Sequence, residues 1–342
     1  MNIINLKRVI FLAFCILGTT TSAQNHYLLA LSKGDKKLVV MDYKTLDILK
    51  KIPVGDDPHE VVTNSDATRA YISIPLMNAG GHEINVINLQ TLEPEQSIDT
   101  RPFTIPHGLV FRNDSLWFTA QGSKNVVIYD IKGNKAVQAL GTGQDFTHLI
   151  YLNNSGKTFY TTNVESGTLS IYENKEIPPY MPPTGVQPPN VKPRNDWRQT
   201  LLDVGLGAEG FDVSPDENEL WAARPDGMLV IVDLEKKEVK QEIKTSVQGL
   251  HRLKITPDGK TVCIVSVKTG DLIFYNRETF QLEKKMHIGQ GAGIYIDNDN
   301  RMFISCTPNN YISVIDLKTR IEIKRLPIER PDGITSVFIP KG

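Results

Sequence analysis

A short segment recurs seven times along the chain at a spacing of roughly 40 residues, and each copy opens a strand. Four copies carry a histidine at the same repeat position, although the chain has only 7 histidines. A unit of this length cannot bury its apolar faces alone, so the copies must stack against one another. The openings are Pro58-His59-Glu60, Pro106-His107-Gly108, Thr147-His148-Leu149, Ala208-Glu209-Gly210, Leu250-His251-Arg252, Gly291-Ala292-Gly293 and Pro331-Asp332-Gly333.

Each repeat consists of four short strands separated by turns. Residues 208–243 alternate polar and apolar side chains between turns at Pro215 and Pro225, with no helical periodicity. Radial stacking of four-stranded antiparallel sheets buries both faces of each sheet and protects its edges. The sequence therefore predicts an all-β, seven-bladed β-propeller. Its blades are placed at residues 28–52, 58–100, 106–140, 147–204, 208–243, 249–286 and 291–326.

The ends of the repeat array predict how the ring closes. The first blade lacks an opening strand, and the C-terminal segment Gly333–Ile339 is left over after the seventh blade. We expect this last strand to complete blade one and so to remove the free edges.

Two segments lie outside the repeat. Lys7 and Arg8 precede an apolar run and a small-residue site ending at Ala23, which predicts a signal peptide over residues 1–23 and a single propeller domain over residues 24–342. The mature chain is then exported to the periplasm or the extracellular space, without stable insertion in a membrane. A proline-rich surface insertion is expected at residues 176–197, because prolines cannot donate ladder hydrogen bonds.

Several repeat motifs support a family resemblance. Tyr160-Thr-Thr-Asn163, its counterparts Tyr71-Ile-Ser and Trp117-Phe-Thr, and the turn at Ser214-Pro-Asp resemble the YVTN-repeat family of seven-bladed propellers. The resemblance implies a fold shared by surface-layer and periplasmic binding proteins, by lactonases of the phosphogluconolactonase type, and by propellers that house haem or copper. The resemblance therefore specifies the fold but leaves several functions open.

The residues that open the blades point to a polar site at the mouth of the central channel. Neutral imidazoles with a carboxylate suit zinc, copper, iron or nickel, whereas calcium and magnesium prefer oxygen ligands. The candidate metal ligands are His59, His107, His148, Glu209 and His251, with Asp332 as a further ligand contact. The alternative is a water-filled channel lined by hydrogen-bonding residues with no ligand.

The same residues also allow a catalytic hypothesis. His148, Glu209, His251 and Arg252 could exchange a proton and stabilise an oxyanion, as lactone opening or uronate elimination requires. The first hypothesis is a protein that binds its ligand without turnover. A lactonase-like or lyase-like enzyme is the second hypothesis, and a non-catalytic interaction scaffold is the third.

Four more residues are candidates for ligand contact. His82 lies in a long turn of blade two that should overhang the axis, and Gln121, Asn163 and Arg224 are assigned to the asparagine position of the repeat. Arg224 could instead form an ion pair within its own turn.

The charge balance limits the partners. A net charge of −1 provides no field that would attract a polyanion, so nucleic acid is excluded as a partner. A small molecule or a component of the cell envelope is expected instead.

If residues 1–23 are a signal peptide, the exported protein begins at Gln24. Mass spectrometry of the protein from the soluble cytosolic and exported fractions tests this. A cytosolic protein that retains Met1 would contradict the export prediction.

Overall fold

A closed ring of seven four-stranded sheets surrounds a central channel in the computed structural model, which describes residues 25–186 and 190–339. This confirms the predicted all-β, seven-bladed β-propeller. Helix in these two ranges is confined to the 3-10 turns Gln121–Ser123 and Thr307–Asn309, and no described helix is long and apolar enough to cross a membrane.

The strands are numbered from the channel outwards within each blade. The first strands of blades one to seven are Pro331–Ile339, Val61–Thr63, Pro106–Arg112, Thr147–Leu152, Phe211–Val213, Leu250–Ile255 and Gly293–Ile296. The second strands are Asn25–Ser32, Arg69–Ile74, Ser115–Ala120, Thr158–Asn163, Glu219–Ala223, Thr261–Ser266 and Arg301–Cys306. The third strands are Lys37–Asp42, Glu83–Asn88, Asn125–Asp130, Thr168–Ile177, Met228–Asp233, Asp271–Asn276 and Tyr311–Asp316. The fourth strands are Ile48–Pro53, the two short pieces Glu93–Pro94 and Ile98–Asp99, Lys135–Gly141, Arg194–Asp203, Glu238–Lys244, Leu282–His287 and Ile321–Pro327.

Blade one combines the two ends of the described chain. Its innermost strand, Pro331–Ile339, pairs antiparallel with Asn25–Ser32, with Tyr27 opposite Val337 and Asn25 opposite Ile339. The predicted closure by the C-terminal strand is therefore confirmed.

Apolar side chains form one cluster between each pair of neighbouring blades. Because successive side chains of a strand point to opposite faces, Leu29 and Leu31 pack against blade two, whereas Leu28 and Ala30 pack against blade seven. The same division recurs around the ring in seven clusters, and together they form the core.

Asparagine or aspartate at the end of the third strand closes the turn to the fourth strand. The Asp42 carboxylate accepts the backbone N–H groups of Lys44 and Thr45 at 2.9 and 2.8 Å. Asn88 and Asn276 accept equivalent bonds at 2.9–3.0 Å. These side chains satisfy backbone donors that the sheet leaves unpaired.

The proline-rich insertion is shorter than predicted. Residues Thr168–Ile177 and Arg194–Asp203 form a ten-residue hairpin ladder, so the ends of the predicted 176–197 loop belong to strands. Trp197 stabilises this extension by packing on Trp117 and Phe159, with ring centroids 5.7 and 5.1 Å away. Residues 187–189 of the insertion, the predicted signal peptide over 1–23 and Gln24 lie outside the described residues.

Truncation after Arg330 should destabilise the protein strongly, because it removes the first strand of blade one and exposes the edge of Asn25–Ser32. Loss of the buried Val337 and Ile339 side chains and of their ladder should lower Tm by about 10 °C or cause aggregation. Calorimetry of the truncated chain measures this. The control removes only residues 340–342, and equal melting temperatures for all three chains would contradict the role of the strand.

Candidate functional site

Residues that open consecutive blades meet at the mouth of the channel. The imidazole centroids of His59 and His107 are 4.7 Å apart, and those of His107 and His148 are 3.8 Å apart. The Nε2 atom of His148 is 2.9 Å from Glu209 in the next blade. Blades two to five thus supply a continuous row of polar side chains.

A kink in the backbone directs these residues towards the axis. In six of the blades, the residue two positions before the axial residue has a positive φ angle. Left-handed conformations cost roughly 1–2 kcal/mol for residues other than glycine, yet four blades use such a residue here. The repeat geometry therefore requires the kink even where it is strained. The six residues are Asp57 (61°), Ile105 (56°), Phe146 (58°), Gly207 (79°), Gly249 (68°) and Arg330 (45°).

Glu209 joins two of the histidines. One carboxylate oxygen is 2.9 Å from His148 Nε2, and the other is 3.2 Å from His251 Nδ1. Burial acts to raise the pKa of Glu209, but the interactions with His251 and His148 outweigh it and hold the pKa well below its usual range. Glu209 is therefore an ionised hydrogen-bond acceptor between two imidazoles.

His107 is the most enclosed member of the row. It is 1% exposed, and burial, together with the neighbouring His148 and His59, lowers its pKa well below the usual value. Burial also lowers the pKa of His148. The Nδ1 atom of His107 is buried and has no hydrogen-bond partner among the described residues. An unpaired buried nitrogen is uncommon, and here the imidazoles of His59 and His148 enclose the ring on two sides.

Lys33 adds a cation to the cluster. It follows the second strand of blade one, and its Nζ atom donates to Asp332 Oδ2 at 2.8 Å and to His59 Nε2 at 2.7 Å. A carboxylate oxygen of Asp57 is 3.4 Å away. Burial acts to raise the pKa of Asp332, but Lys33 and His59 outweigh it and lower that pKa. Lys33 therefore connects the closing strand to blade two.

A floor of three side chains lies directly below the row. Glu60 and Arg252 form an ion pair across the channel at 3.1 Å, and Leu149 occupies the equivalent position in blade four. Burial raises the pKa of Glu60 despite the nearby Arg252. The other positions of this layer are glycines. In blades one to seven the layer reads Gly333, Glu60, Gly108, Leu149, Gly210, Arg252 and Gly293.

The glycines of the floor allow neighbouring inner strands to approach closely. A Cβ atom on Gly108 would lie 2.6 Å from the carbonyl oxygen of His148, and one on Gly210 would lie 2.1 Å from that of His251. The Thr119 hydroxyl fixes this contact, because it accepts the N–H of Gly108 and donates to the same His148 carbonyl. The glycines thus set the height of the axial residues in the adjoining blade.

A chamber of about 170 Å³ adjoins the floor. Arg252 and Glu60 line its upper end, and Asp212, Lys254 and Tyr151 lie among its deeper walls. The Nε atom of Arg252 is buried without a partner among the described residues. The chamber has room for a few water molecules, and its polar walls suit them.

Gln121 joins the cluster from a position different from the one predicted. Ala120, and not Gln121, is the residue of blade three that is equivalent to Asn163 in blade four. Ala120 pairs with Pro106 and Asn163 pairs with Thr147, and each of these partners directly precedes an axial histidine. Gln121 is one residue further on, and its Oε1 atom is 3.2 Å from His148 Nδ1. Its Nε2 atom is 3.7 Å from the sulfur of Met77 in the long turn of blade two.

Three predicted residues lie elsewhere. Asn163 is buried within blade four, where it bonds Thr147 and Ser170 at 2.9 Å. Arg224 pairs with Asp226 at 2.6 Å, which is the ion pair within its own turn. His82 is exposed in the long turn of blade two, and its backbone carbonyl accepts the N–H of residue 100. None of the three contacts the axial cluster.

The row of histidines is not arranged around a single point. The rings of His107 and His148 are tilted by 39° to each other, and within residues 25–186 and 190–339 no group of three or more histidine, cysteine, aspartate or glutamate side chains has the geometry of a metal site. Metal binding by His59, His107, His148, Glu209 and His251 stays a prediction.

Sequence reasoning missed Lys33, Glu60 and Asp57. Lys33 occupies the same position in blade one as Gln121 in blade three, one residue beyond the second strand. The signal was available, because the predicted closing strand places Ser32 opposite Pro331 and brings the next residue towards Asp332.

No family model and no curated protein matches the chain. Solved structures match its fold. A "putative 6-phosphogluconolactonase" from Bacteroides fragilis has a TM-score of 0.72 at 12% identity over 93% of this chain and 99% of that one. A protein of unknown function from Desulfotomaculum acetoxidans has a TM-score of 0.70 at 13% identity over 92% and 99%.

A third similar structure is dihydro-heme d1 dehydrogenase NirN in complex with DHE. Its TM-score is 0.60 at 13% identity, over 90% of this chain and 74% of that one. At these identities the similarity shows the propeller fold alone.

The lowered pKa of His107 makes stability depend on pH. The unfolded chain takes up protons on its histidines below about pH 6.5, whereas the folded protein keeps His107 neutral. Unfolding is therefore favoured by acid, and one such histidine lowers the free energy of unfolding by about 1.4 kcal/mol between about pH 7.5 and 5.5.

His107→Asn should reduce the acid-induced loss of unfolding free energy by about 1 kcal/mol. Denaturant unfolding at about pH 7.5 and 5.5 measures this difference. His287→Asn is the control, since that side chain is 73% exposed. An unchanged pH dependence in His107→Asn would show that folding does not shift the pKa of His107.

Proposed function

We propose that the protein binds a small, uncharged, polyhydroxylated molecule, such as a sugar or a sugar lactone, at the mouth of its channel. The observation that carries this proposal is the accessible Glu209–His251 pair at the mouth, whose side chains are 20% and 22% exposed. The pair lies among imidazole, carboxylate, amide and ammonium groups, which can donate to and accept from hydroxyl groups. Phe146, whose ring centroid is 5.2 Å from that of His148, adds an apolar surface beside them.

The charges of the cluster favour an uncharged ligand. Besides the imidazoles, four carboxyl groups and two cations meet here, so acidic side chains outnumber basic ones at the site. A phosphorylated sugar or a uronate would add like charge to a partly buried site. The acidic side chains are Asp57, Glu60, Glu209 and Asp332, and the cations are Lys33 and Arg252.

Titration calorimetry with D-glucose, D-glucono-1,5-lactone, D-glucuronate and 6-phosphogluconate tests the proposal. The two uncharged probes should bind more tightly than the two anions. Glu209→Gln, which keeps the shape of the side chain but removes its charge, should weaken binding by about 10- to 100-fold. Glu278→Gln, at an exposed turn, is the matched control.

Tighter binding of the anions would overturn the proposed ligand class. Failure of all four probes to bind, or equal binding by Glu209→Gln, would leave the interaction scaffold as the better hypothesis.

One observation favours a lactonase-like reaction as a second candidate. His251 contacts Glu209 through Nδ1, and its side chain is 22% exposed, so a carboxylate orients an imidazole that solvent can reach. Such a pair can activate water for attack on a lactone carbonyl. Hydrolysis of D-glucono-1,5-lactone faster than the spontaneous reaction, lost in His251→Asn but retained in His287→Asn, would support turnover.

We also propose export to the periplasm or the extracellular space and membership of the YVTN-repeat group, on the sequence features given above. An exported sugar-binding propeller would meet its ligand outside the cytoplasm, and a component of the cell envelope is one source of such a ligand.

A further inference from the structure

The phenyl ring of Phe146 extends the row of imidazoles at the channel mouth. The ring centroids of His107 and His148 are 3.8 Å apart, and that of Phe146 is 5.2 Å from His148 at an interplanar angle of 36°. His107 and His148 are 1% and 4% exposed, whereas Phe146, two residues before His148, is only partly buried. The phenyl ring is therefore open to a ligand, while these two imidazoles are largely enclosed.

Phe146 has no place in the apolar core. Among residues 25–186 and 190–339, every phenylalanine except Phe146 and Phe338 belongs to or packs against one of the seven apolar clusters. The ring of Phe146 contacts the polar side chain of His148 instead. An aromatic side chain in this position contributes little to the packing between blades, which indicates another role.

The backbone at Phe146 is strained. Its φ angle is 58°, a left-handed conformation that disfavours bulky residues. Blades five and six have glycines at the equivalent positions, Gly207 and Gly249, and glycine adopts this conformation without strain. The repeat therefore does not require a phenylalanine here, and strain of this kind is typical of residues that serve a functional site.

Hydrogen-bonding groups lie beside the phenyl ring. The Nε2 atom of His148 is 2.9 Å from Glu209, and its Nδ1 atom is 3.2 Å from Gln121. A partly exposed aromatic face next to a carboxylate and an amide suits a ligand with one apolar face and hydroxyl groups around its edge. A pyranose ring has this form, because its axial C–H bonds point to the faces and its equatorial hydroxyl groups point to the periphery.

We propose that Phe146 is a specificity-determining residue that stacks on the face of a ring-form sugar and so selects a pyranose over an open-chain polyol. This inference rests on the sugar binding proposed above. An open-chain polyol offers similar hydroxyl groups, but it has no fixed apolar face and loses more conformational freedom on binding. The class of ligand is thereby narrowed from polyhydroxylated molecules to cyclic ones.

Titration calorimetry of the wild type with methyl β-D-glucopyranoside and with D-glucitol measures this selection. The glucoside should bind at least about 10-fold more tightly. Phe146→Gly should weaken glucoside binding by about 10-fold but change D-glucitol binding by less than about 2-fold. Phe146→Tyr keeps an aromatic face and should retain the preference for the glucoside.

Phe338→Ala is the matched control. Phe338 is likewise outside the apolar clusters and is 54% exposed. It lies six residues beyond Asp332 on the closing strand, which places it roughly 20 Å from the mouth. This variant should retain the affinities for both probes.

Thermal unfolding separates a role in binding from a role in the fold. Phe146→Gly should have a Tm within about 2 °C of the wild type or higher, because glycine removes the backbone strain. A Tm lower by more than about 5 °C would assign Phe146 a structural role and overturn the inference. If Phe146→Gly does not fold, Phe146→Asn replaces it, since asparagine tolerates the left-handed backbone and offers no apolar face.

The binding data distinguish this inference from the proposed function. Equal or reversed affinities of the wild type for the two probes would overturn selection by Phe146 and leave sugar binding intact. An unchanged preference in Phe146→Gly, or a preference that Phe338→Ala also loses, would do the same. Binding of neither probe would overturn the proposed function and this inference together.

Discussion

Pairing between the C-terminal strand and the second strand of blade one is the constraint on which the rest of the structure depends. The ladder of Pro331–Ile339 with Asn25–Ser32 converts an open array of sheets into a ring without free edges. The same pairing brings Asp332 to the channel and places Lys33 beside it, 299 residues away in sequence. Closure of the ring therefore also completes the site, because it adds Asp332 and Lys33 to the residues from the other blades.

The odd number of blades explains the form of the channel floor. Glycine alternates with a larger side chain around the layer, but seven positions cannot alternate fully, so Gly293 and Gly333 are neighbours. Glu60 and Arg252 come from the two blades that flank this pair of glycines, and their ion pair spans the space that the glycines leave. Arg252 is also 3.9 Å from Glu209, so the floor is electrostatically linked to the histidine row above it.

The sequence predicted the elements of this protein better than their contacts. The seven blades, the closing strand and the axial position of His59, His107 and His148 follow from a repeat that can be counted along the chain. Gln121 was assigned to the wrong repeat position, because a one-residue shift in register cannot be seen without the partner strand. The sequence analysis gave Glu60 no role, because its partner Arg252 lies across the channel, three blades away by the shorter way around the ring.

The apolar core and the axial polar cluster are separate parts of the molecule. The seven apolar clusters lie between the blades, whereas the axial side chains contact mainly one another across the mouth. Removal of an axial side chain therefore leaves the clusters intact, but addition of a side chain to a floor glycine does not, because a Cβ atom on Gly210 would collide with the backbone of the next blade. The axial histidines can thus change at little cost to the apolar clusters. The glycines one residue further along the strands have no such freedom, since they set the spacing of the blades on which both the fold and the site depend.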